Sequence, residues 1–233
     1  MIKIENVAIF GWEAAIRGMR NPKNSWDKSD SFYDIEEDPS PINPDDWFIY
    51  RIGKNDLALM ETLSRAGSDH AKYLRMINVT FDLTAPLYFL KEWDTYKVGT
   101  VTNSCSTMHK IHSKEFTLDD FSREHLCGRA LNTLEEVVDD LNHYRELFLN
   151  CTVSQYGTSG ECAAAKKSYW WQMIQLLPSS YNQKRTVQLN YAVLKNMYHS
   201  RKNHKLDEWR VFCEWIKTLP YSELITEGYE NVN

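Results

Sequence analysis

The chain has 233 residues, with 27 Lys and Arg against 32 Asp and Glu, so its formal net charge is −5. Neutralisation of nucleic-acid phosphates requires a clear excess of Lys and Arg, so this balance argues against a nucleic-acid polymer as partner. Hydrophobic residues make up 42% of the chain and aromatic residues 13%. Such a chain can bury enough surface to offset its conformational entropy, which excludes a disordered protein. The chain contains no run of about 18 apolar residues, so we expect no membrane-spanning helix.

The amino-terminus and the cysteines indicate the compartment. Residues 1–16 lack the basic start, the long apolar stretch and the small-residue cleavage site of a signal peptide. The five cysteines are odd in number and scattered, and they contain no CxxC motif. This usage is typical of reduced thiols rather than of a disulfide framework. We therefore expect a soluble cytoplasmic protein.

The acidic excess lies in one segment, residues 34–46, which holds six acids, three prolines and no base. The rest of the chain carries 27 basic and 26 acidic residues and is almost neutral. The composition of residues 20–46 predicts a long loop, which in a compact domain is usually functional or mobile.

The hydrophobic pattern predicts strands early in the chain and helices later, so the expected class is α+β, in one domain over residues 1–233. The box Thr133–Glu136 is typical of a helix start, and the hydroxyl-rich residues 98–113 indicate an irregular stretch. In chain order, the pattern predicts strands at 2–9 and 77–84 and helices at 13–19, 55–66, 87–96, from 133, at 163–177, 186–198 and 209–216.

One polar segment raises the question of a metal site. Cys105, His109 and His112 offer a thiolate and two imidazoles, which are ligands that zinc accepts. Their spacing matches no compact zinc motif and no second cluster completes a tetrahedron, so we expect no metal. A lone cysteine with distant histidines could also be a nucleophile, although most cysteines are small buried hydrophobes.

A second constellation lies along the predicted helix at 186–198. Asn190, Leu194, Met197 and Arg201 are spaced so that they share one helical face, which His204 and Glu208 would continue if the helix persisted. Polar groups in line with core residues favour a ligand-facing role. Arg201 is the natural anchor there for a phosphate or for the edge of a pyrimidine.

Two stretches of the chain resemble the flavin-dependent thymidylate synthase family. Residues 70–110 are similar to the family's Gly-His turn, strand ending in Pro, helix with Gln-Trp and signature R-H-R-x-x-S-x-N-E-x-S-x-R-Y. Residues 177–210 are similar to its carboxy-terminal L-P block, N-x-R, helix, Arg and H-A-Q-x-E. The fold that this resemblance implies is a mixed sheet with long helices.

The resemblance implies a role for particular residues. For cofactor binding it implies a set of side chains at the family's flavin-contacting His, at its R-H-R and in its carboxy-terminal block: His70, Tyr96, Lys97, Asn190 and His204. For the nucleotide substrate it implies Glu92, Asn103, Cys105, Thr107 and Arg201. Arg201 is also the expected catalytic residue, together with Cys105, which replaces a Ser of the signature.

The activity implied by the resemblance is methylation of deoxyuridylate (dUMP) to thymidylate by a homotetramer with active sites at subunit junctions. Flavin adenine dinucleotide (FAD) is the implied cofactor, and methylenetetrahydrofolate and NADPH are the implied co-substrates. Two alternatives stay open. One is the same fold acting on another pyrimidine nucleotide or giving a hydroxymethyl product, since Glu92 replaces a Gln. The other is a non-catalytic nucleotide-binding homologue.

The chain departs from the family mainly by losing cations. Family arginines fall on Thr95, Thr107 and Ala192, where phosphates of FAD and dUMP would need charge. The thiol of Cys105 could attack C6 of a pyrimidine, or it could simply replace a Ser. Cations that lie nearby in sequence and could compensate are Lys91, Lys110, Lys184, Arg185 and Lys202.

Overall fold

The computed structural model describes residues 1–35 and 48–228. Its strands are β1 (Lys3–Phe10), β2 (Phe32–Ile35), β3 (Phe48–Arg51), β4 (Asn78–Pro86), β5 (Val101–Ser104) and β6 (Asn182–Asn190). Its helices are α1 (Trp12–Arg20), α2 (Lys54–Arg65), α3 (Leu87–Trp93), α4 (Thr107–Lys110), α5 (Gly128–Asn150), α6 (Val153–Tyr156), α7 (Ser159–Leu176), α8 (Tyr191–Arg201), α9 (Asp207–Ile216) and α10 (Glu223–Thr226). The predicted α+β class is confirmed.

Four strands form a sheet in the order β1-β4-β6-β5, and β2 and β3 form a separate antiparallel pair. In β4, buried residues alternate with half-buried ones: Val79, Phe81 and Leu83 are all at most 1% exposed. This period of two is the pattern of a strand with one face in the core, and it is why the strand could be predicted from the sequence.

The chain divides into two compact units. Unit 1 comprises residues 1–5, 82–95 and 102–186, and unit 2 comprises residues 6–81, 96–101 and 187–233. The core of unit 1 joins α5 and α7 to the segment that follows α4. It consists of buried apolar side chains: Ile111, Phe116, Phe121, Leu134, Val138, Leu141 and Met173.

Unit 2 contains a buried ion pair beside its apolar core. Arg20, at the end of α1, donates from Nε to Oδ1 of Asp56 at 2.6 Å. The other oxygen of Asp56 accepts hydrogen bonds from Ser29 and Ser31 and from the backbone N–H of Asp30. Because Asp56 is fully buried, these donors offset the cost of removing its charge from water. They also connect the segment before β2 to the start of α2.

Several sequence predictions were wrong at element boundaries. Helix α5 begins at Gly128, and Thr133 lies inside it, where its hydroxyl donates to the carbonyl oxygen of Arg129. Residues 182–190 are strand β6, so the helix predicted from 186 starts only at Tyr191. The alternation of buried Val187 and Leu189 has the period of a strand rather than of a helix.

The two predicted irregular segments are partly regular. Residues 98–113 contain β5 and α4. The predicted loop 20–46 contains two short 3-10 helices, Asn21–Lys23 and Trp26–Lys28, followed by β2. Asp34 and Ile35 of the acidic segment 34–46 belong to β2, and the rest of that segment lies outside the described residues. Within the described ranges, no helix is both long and apolar enough to cross a bilayer.

Candidate functional site

Arg201 is held by two aromatic rings at the carboxy-terminal end of α8. Its guanidinium carbon lies 5.6 Å from the ring centre of Tyr96 and 5.1 Å from that of Trp209. Nε donates a 2.9 Å hydrogen bond to the hydroxyl of Tyr96. The two rings contact each other edge to face at 5.7 Å, and Trp209 is completely buried. This arrangement, the Arg201 cluster, fixes the plane of a guanidinium that is only partly exposed.

The rest of the predicted polar face does not continue as a helix. Helix α8 ends at Arg201, and α9 begins at Asp207. The turn between them nevertheless keeps His204 close, because its backbone N–H donates to the carbonyl of Arg201 at 2.9 Å. Nδ1 of His204 accepts from the N–H of Leu206, and its ring lies 6.4 Å from that of Trp209. Glu208 is buried on α9.

Asn190 has a structural role that the sequence motif does not reveal. It is the N-cap of α8, where its side-chain oxygen accepts from the N–H of Val193 at 3.1 Å. Gly99 has a positive φ of 77° and approaches closely, since a Cβ there would lie 3.1 Å from Nδ2 of Asn190. Both the positive φ and this close approach favour glycine at the turn beside Asn190.

Unit 2 also contains a cavity of about 620 Å³, which we call the Lys195 cavity. Its volume lies within the usual range for small-molecule and cofactor sites. Ala192, which stands where the family has an Arg, lines it, and so does Ala71, the residue after the exposed His70. The cavity has cationic side chains from two other positions, Arg75 and Lys195, and its remaining lining includes Ser68, Asn196 and His199.

Lys195 is 2% exposed, and its amine is held by Ser64 and Leu224. Nζ donates to the hydroxyl of Ser64 at 2.7 Å, to the carbonyl of Ser64 at 3.1 Å and to that of Leu224 at 3.3 Å. Burial lowers the pKa of Lys195 from its ordinary value of 10.5 to about 8, because desolvation penalises the charged form.

This shift makes a testable prediction about stability. Between about pH 8 and 10.5 the unfolded chain binds a proton at Lys195 that the folded protein has lost, so the free energy of unfolding should rise with pH in that window. Across this window the free energy of unfolding of the wild type should rise by up to about 3 kcal/mol relative to that of Lys195→Met. The two proteins share all other titratable groups, so the difference isolates Lys195. Urea unfolding of both proteins at several pH values measures the difference; no change across the window would show that the amine is not desolvated.

Unit 1 contains a separate cavity of about 600 Å³, the Cys105 cavity, which is lined by Cys105 and Thr107. The backbone N–H of Cys105 donates to the carbonyl of Lys184, and its carbonyl accepts from the side chain of Gln183, so the residue is fixed against β6. Its thiol is exposed. Four lysines also line this cavity: Lys3, Lys110, Lys114 and Lys184.

Most of these lysines already contact a carboxylate. Lys3 lies 2.7 Å from Glu5, Lys184 lies 3.0 Å from Asp82, and Lys114 pairs with Asp120. Lys110 differs, since it forms no ion pair with any residue that the structure describes. It is therefore the cation of this cavity that is best placed to take an external anion.

The predicted site residues divide between the two units. Residues expected to hold the cofactor lie in unit 2: His70, Tyr96, Lys97, Asn190 and His204. Arg201, expected to act on the substrate, also lies in unit 2. The other expected substrate residues lie in unit 1: Glu92, Asn103, Cys105 and Thr107. Of these, Cys105 and Thr107 line one cavity, Asn103 is an exposed residue of β5 and Glu92 is half-buried in α3.

Two residues near the site are not distinguished by the sequence pattern. Trp209 begins the predicted helix at 209–216, and Arg75 lies outside the predicted elements. Lys110, a possible substitute for the lost arginines, lines the Cys105 cavity. Arg185, named with it, instead pairs with Asp94 at 2.6 Å. Recognition of Arg75 and Trp209 required the tertiary structure, since no motif includes them.

The proposed thiolate and imidazole ligands do not assemble a metal centre. His112 packs against Phe148 with ring centres 4.4 Å apart, and burial, with a smaller contribution from Lys110, lowers its pKa. In residues 1–35 and 48–228, no cluster of three or more His, Cys, Asp or Glu side chains could hold a metal ion.

Comparisons with known proteins identify the fold. No sequence-family model matches the chain, and no curated protein matches it. Among solved structures, it is similar to the flavin-dependent thymidylate synthase ThyX from Helicobacter pylori complexed with FAD and dUMP, with a TM-score of 0.60 and 15% identity over 98% of this chain and 100% of that chain. A second structure of that enzyme with FAD and dUMP gives 0.58 and 14% over 97% of each chain.

A third solved structure is the UMP/dUMP methylase PolB from Streptomyces cacaoi bound with 5-Br dUMP. It matches with a TM-score of 0.54 and 14% identity, over 96% of this chain and 93% of that chain. The chain has the ThyX fold. The fold that the sequence resemblance implied is therefore confirmed, and these neighbours are enzymes that bind or methylate pyrimidine nucleotides.

Proposed function

We propose that the protein is an enzyme that transfers one carbon to C5 of a pyrimidine nucleotide, with dUMP as substrate and thymidylate as product. FAD is the proposed cofactor, and methylenetetrahydrofolate and NADPH are the proposed co-substrates. The observation that carries the proposal is the Arg201 cluster, in a chain whose fold is that of enzymes solved with FAD and dUMP.

Arg201 is the residue we assign to the pyrimidine. A guanidinium fixed between Tyr96 and Trp209 presents its N–H groups in a constant direction, and little reorganisation is needed when a ligand arrives. Such a group stabilises negative charge as it develops on a pyrimidine carbonyl oxygen, which makes C5 more nucleophilic. Reduced flavin would supply the hydride that completes the methyl group.

The Lys195 cavity supports FAD as the cofactor. Its volume of about 620 Å³ and its position beside Ala71 and Ala192 agree with the flavin-side residues of the resemblance. The loss of an arginine at Ala192 is offset by Arg75, which is exposed and makes no ion pair among the described residues. Arg75 can therefore donate to a phosphate oxygen, with Ser68 and Asn196 as further polar partners.

The Cys105 cavity supports an anionic substrate group. Thr107 stands where the family has an arginine, and Lys110, one turn later, supplies a cation to the same cavity. We assign Lys110 to an anionic group of a ligand in this cavity. Cys105, Asn103 and Glu92 remain proposed substrate contacts in unit 1, and we propose that active protein is a tetramer.

A second candidate substrate is another pyrimidine nucleotide. Glu92 stands in place of a Gln, and an ionised carboxylate only accepts hydrogen bonds whereas an amide also donates them, so the base edge that is recognised can differ. One of the solved neighbours is itself a UMP/dUMP methylase. Assays should therefore compare dUMP, UMP and deoxycytidylate under the same conditions.

Flavin binding tests the cofactor assignment. We expect purified protein to carry FAD or to take it up, with the visible absorption of a bound flavin. Arg75→Ala should weaken FAD binding by roughly 10- to 100-fold, the worth of a charged hydrogen bond. Lys72→Ala changes an exposed cation of the same 3-10 helix, Ala71–Met76, and should leave the affinity unchanged. A protein that takes up no flavin at any concentration would eliminate the flavin mechanism.

A further inference from the structure

Two buried thiols of unit 1 lie in direct contact. Cys151 immediately follows α5, and Cys162 lies in the first turns of α7. Their Sγ atoms are 3.1 Å apart, and each residue is 7% exposed. A disulfide bond requires a separation of about 2.05 Å, so the two sulfurs need to approach by only about 1 Å.

The backbone on both sides of the pair is well supported. Thr152 forms a reciprocal capping box with Gln155 at the start of α6, and Thr158 caps α7 by accepting from the N–H of Glu161. The hydroxyls of Tyr156 and Tyr169 lie 2.5 Å apart and join the connecting segment to α7. These contacts support the segment that joins α5 to α7, which keeps the two thiols adjacent.

We propose that Cys151 and Cys162 are a modification site that a peroxide converts into an intramolecular disulfide bond. The proposal does not depend on the function proposed above, since neither cysteine lines either cavity.

The chemistry balances with the peroxide as the oxidant. The thiolate of one cysteine attacks a peroxide oxygen, the O–O bond breaks, and a sulfenic acid and water are formed. The second sulfur then displaces the hydroxyl of the sulfenic acid as water, with formation of the S–S bond. Two thiols and one hydrogen peroxide give one disulfide and two waters, so the sulfurs are oxidised and the peroxide is reduced.

The surroundings of the two thiols set the rate of their oxidation. Burial raises the pKa of the Cys151 thiol, and the hydrogen bond with Cys162 raises it further, while Lys166 acts in the opposite direction. The thiolate is the reactive form, so oxidation is slow at neutral pH and accelerates as the pH rises. A small oxidant is needed, because the sulfurs are covered.

The disulfide closes a loop of 12 residues, Cys151 to Cys162, which restricts the unfolded chain. The oxidised protein should therefore unfold at a temperature higher by several degrees. Cys162→Ala should abolish this rise. Cys213→Ala, which removes a buried thiol of unit 2, should retain it.

The test is a peptide map of the full chain. Protein treated with hydrogen peroxide is unfolded in an alkylating agent, digested without reduction and examined by mass spectrometry. We expect a linked peptide pair containing Cys151 and Cys162, lighter by two hydrogen atoms than the two thiols, while Cys213 is alkylated. Two outcomes would overturn the proposal: alkylation of both cysteines after oxidation, or their separate conversion to sulfinic acid without a link. The map of the wild-type protein decides this even if a variant fails to fold.

Discussion

Arg201→Ala should lower the rate of dUMP methylation by at least about 100-fold, the loss typical of removing one preorganised donor from a site of developing charge. The guanidinium lies between the rings of Tyr96 and Trp209 and is hydrogen-bonded to the Tyr96 hydroxyl at 2.9 Å. Arg201→Lys keeps the charge but not the planar fork, so most of the loss should remain. Steady-state rates of thymidylate formation, at saturating dUMP, measure the effect.

Two further variants separate this role from a structural one. Arg210→Ala removes an exposed arginine of α9 that pairs with the neighbouring Asp207, and its activity should be that of wild type. Tyr96→Phe keeps the ring but removes the hydroxyl, so it should give a smaller loss than Arg201→Ala. Full activity of Arg201→Ala in a folded protein would refute the assignment of Arg201 to the pyrimidine.

Asp56→Ala should lower the free energy of unfolding by about 3–5 kcal/mol, the usual cost of removing one partner of a buried ion pair. Arg20 is 4% exposed and Asp56 is fully buried, so the substitution leaves an uncompensated guanidinium in the core. It also removes the common acceptor of Ser29, Asp30 and Ser31. Urea-induced unfolding followed by circular dichroism measures this loss.

The control for this prediction is Asp34→Ala. Asp34 also pairs with an arginine, Arg51, at 3.4 Å, but both side chains are about half exposed, so the change should cost less than about 1 kcal/mol. Equal losses for the two variants would contradict the role of burial.

The pH dependence of Asp56 gives an independent check. Burial alone would raise its pKa, but hydrogen bonds from Ser31, Ser29 and Arg20 outweigh burial and hold the pKa below its ordinary value. The carboxylate therefore contributes stability above the unfolded-state pKa of about 3.9, and this contribution is lost as the pH falls through the folded-state value. The difference between wild type and Asp56→Asn should shrink on acidification below about pH 4.

Local patterns in the sequence predicted most helices and strands, because such elements depend on residues that are close together in the chain. The alternation in β4 and the apolar stripe of α5 both come from contacts that repeat along one element. One error came from a signal with two interpretations. The box Thr133–Glu136 is typical of a helix start, but Thr133 lies inside α5, where its hydroxyl donates to the carbonyl oxygen of Arg129. The cofactor contact expected of Asn190 stays a prediction.

The candidate site was only partly accessible from the sequence for a different reason. Arg201 could be found because it lies on a helical face and at a family position. Arg75 could not be assigned to a cavity, because it supplies its charge from the 3-10 helix Ala71–Met76, whereas the family arginine falls on Ala192 in α8. Lys110 lies in α4 one turn after Thr107, where another family arginine falls, and its place in a cavity depends on the tertiary structure. The sequence does not distinguish Trp209 from a core residue, since a tryptophan among apolar residues is typical of a core.

The most direct test of the proposed function is product formation by the purified protein. Protein is incubated with FAD, NADPH, methylenetetrahydrofolate and dUMP, and the nucleotides are separated and weighed by mass spectrometry. We predict a product heavier than dUMP by one methylene group, at the mass of thymidylate, that is absent when either the folate or dUMP is omitted. Recovery of unchanged dUMP, UMP and deoxycytidylate from protein that has bound FAD would contradict the proposed one-carbon transfer.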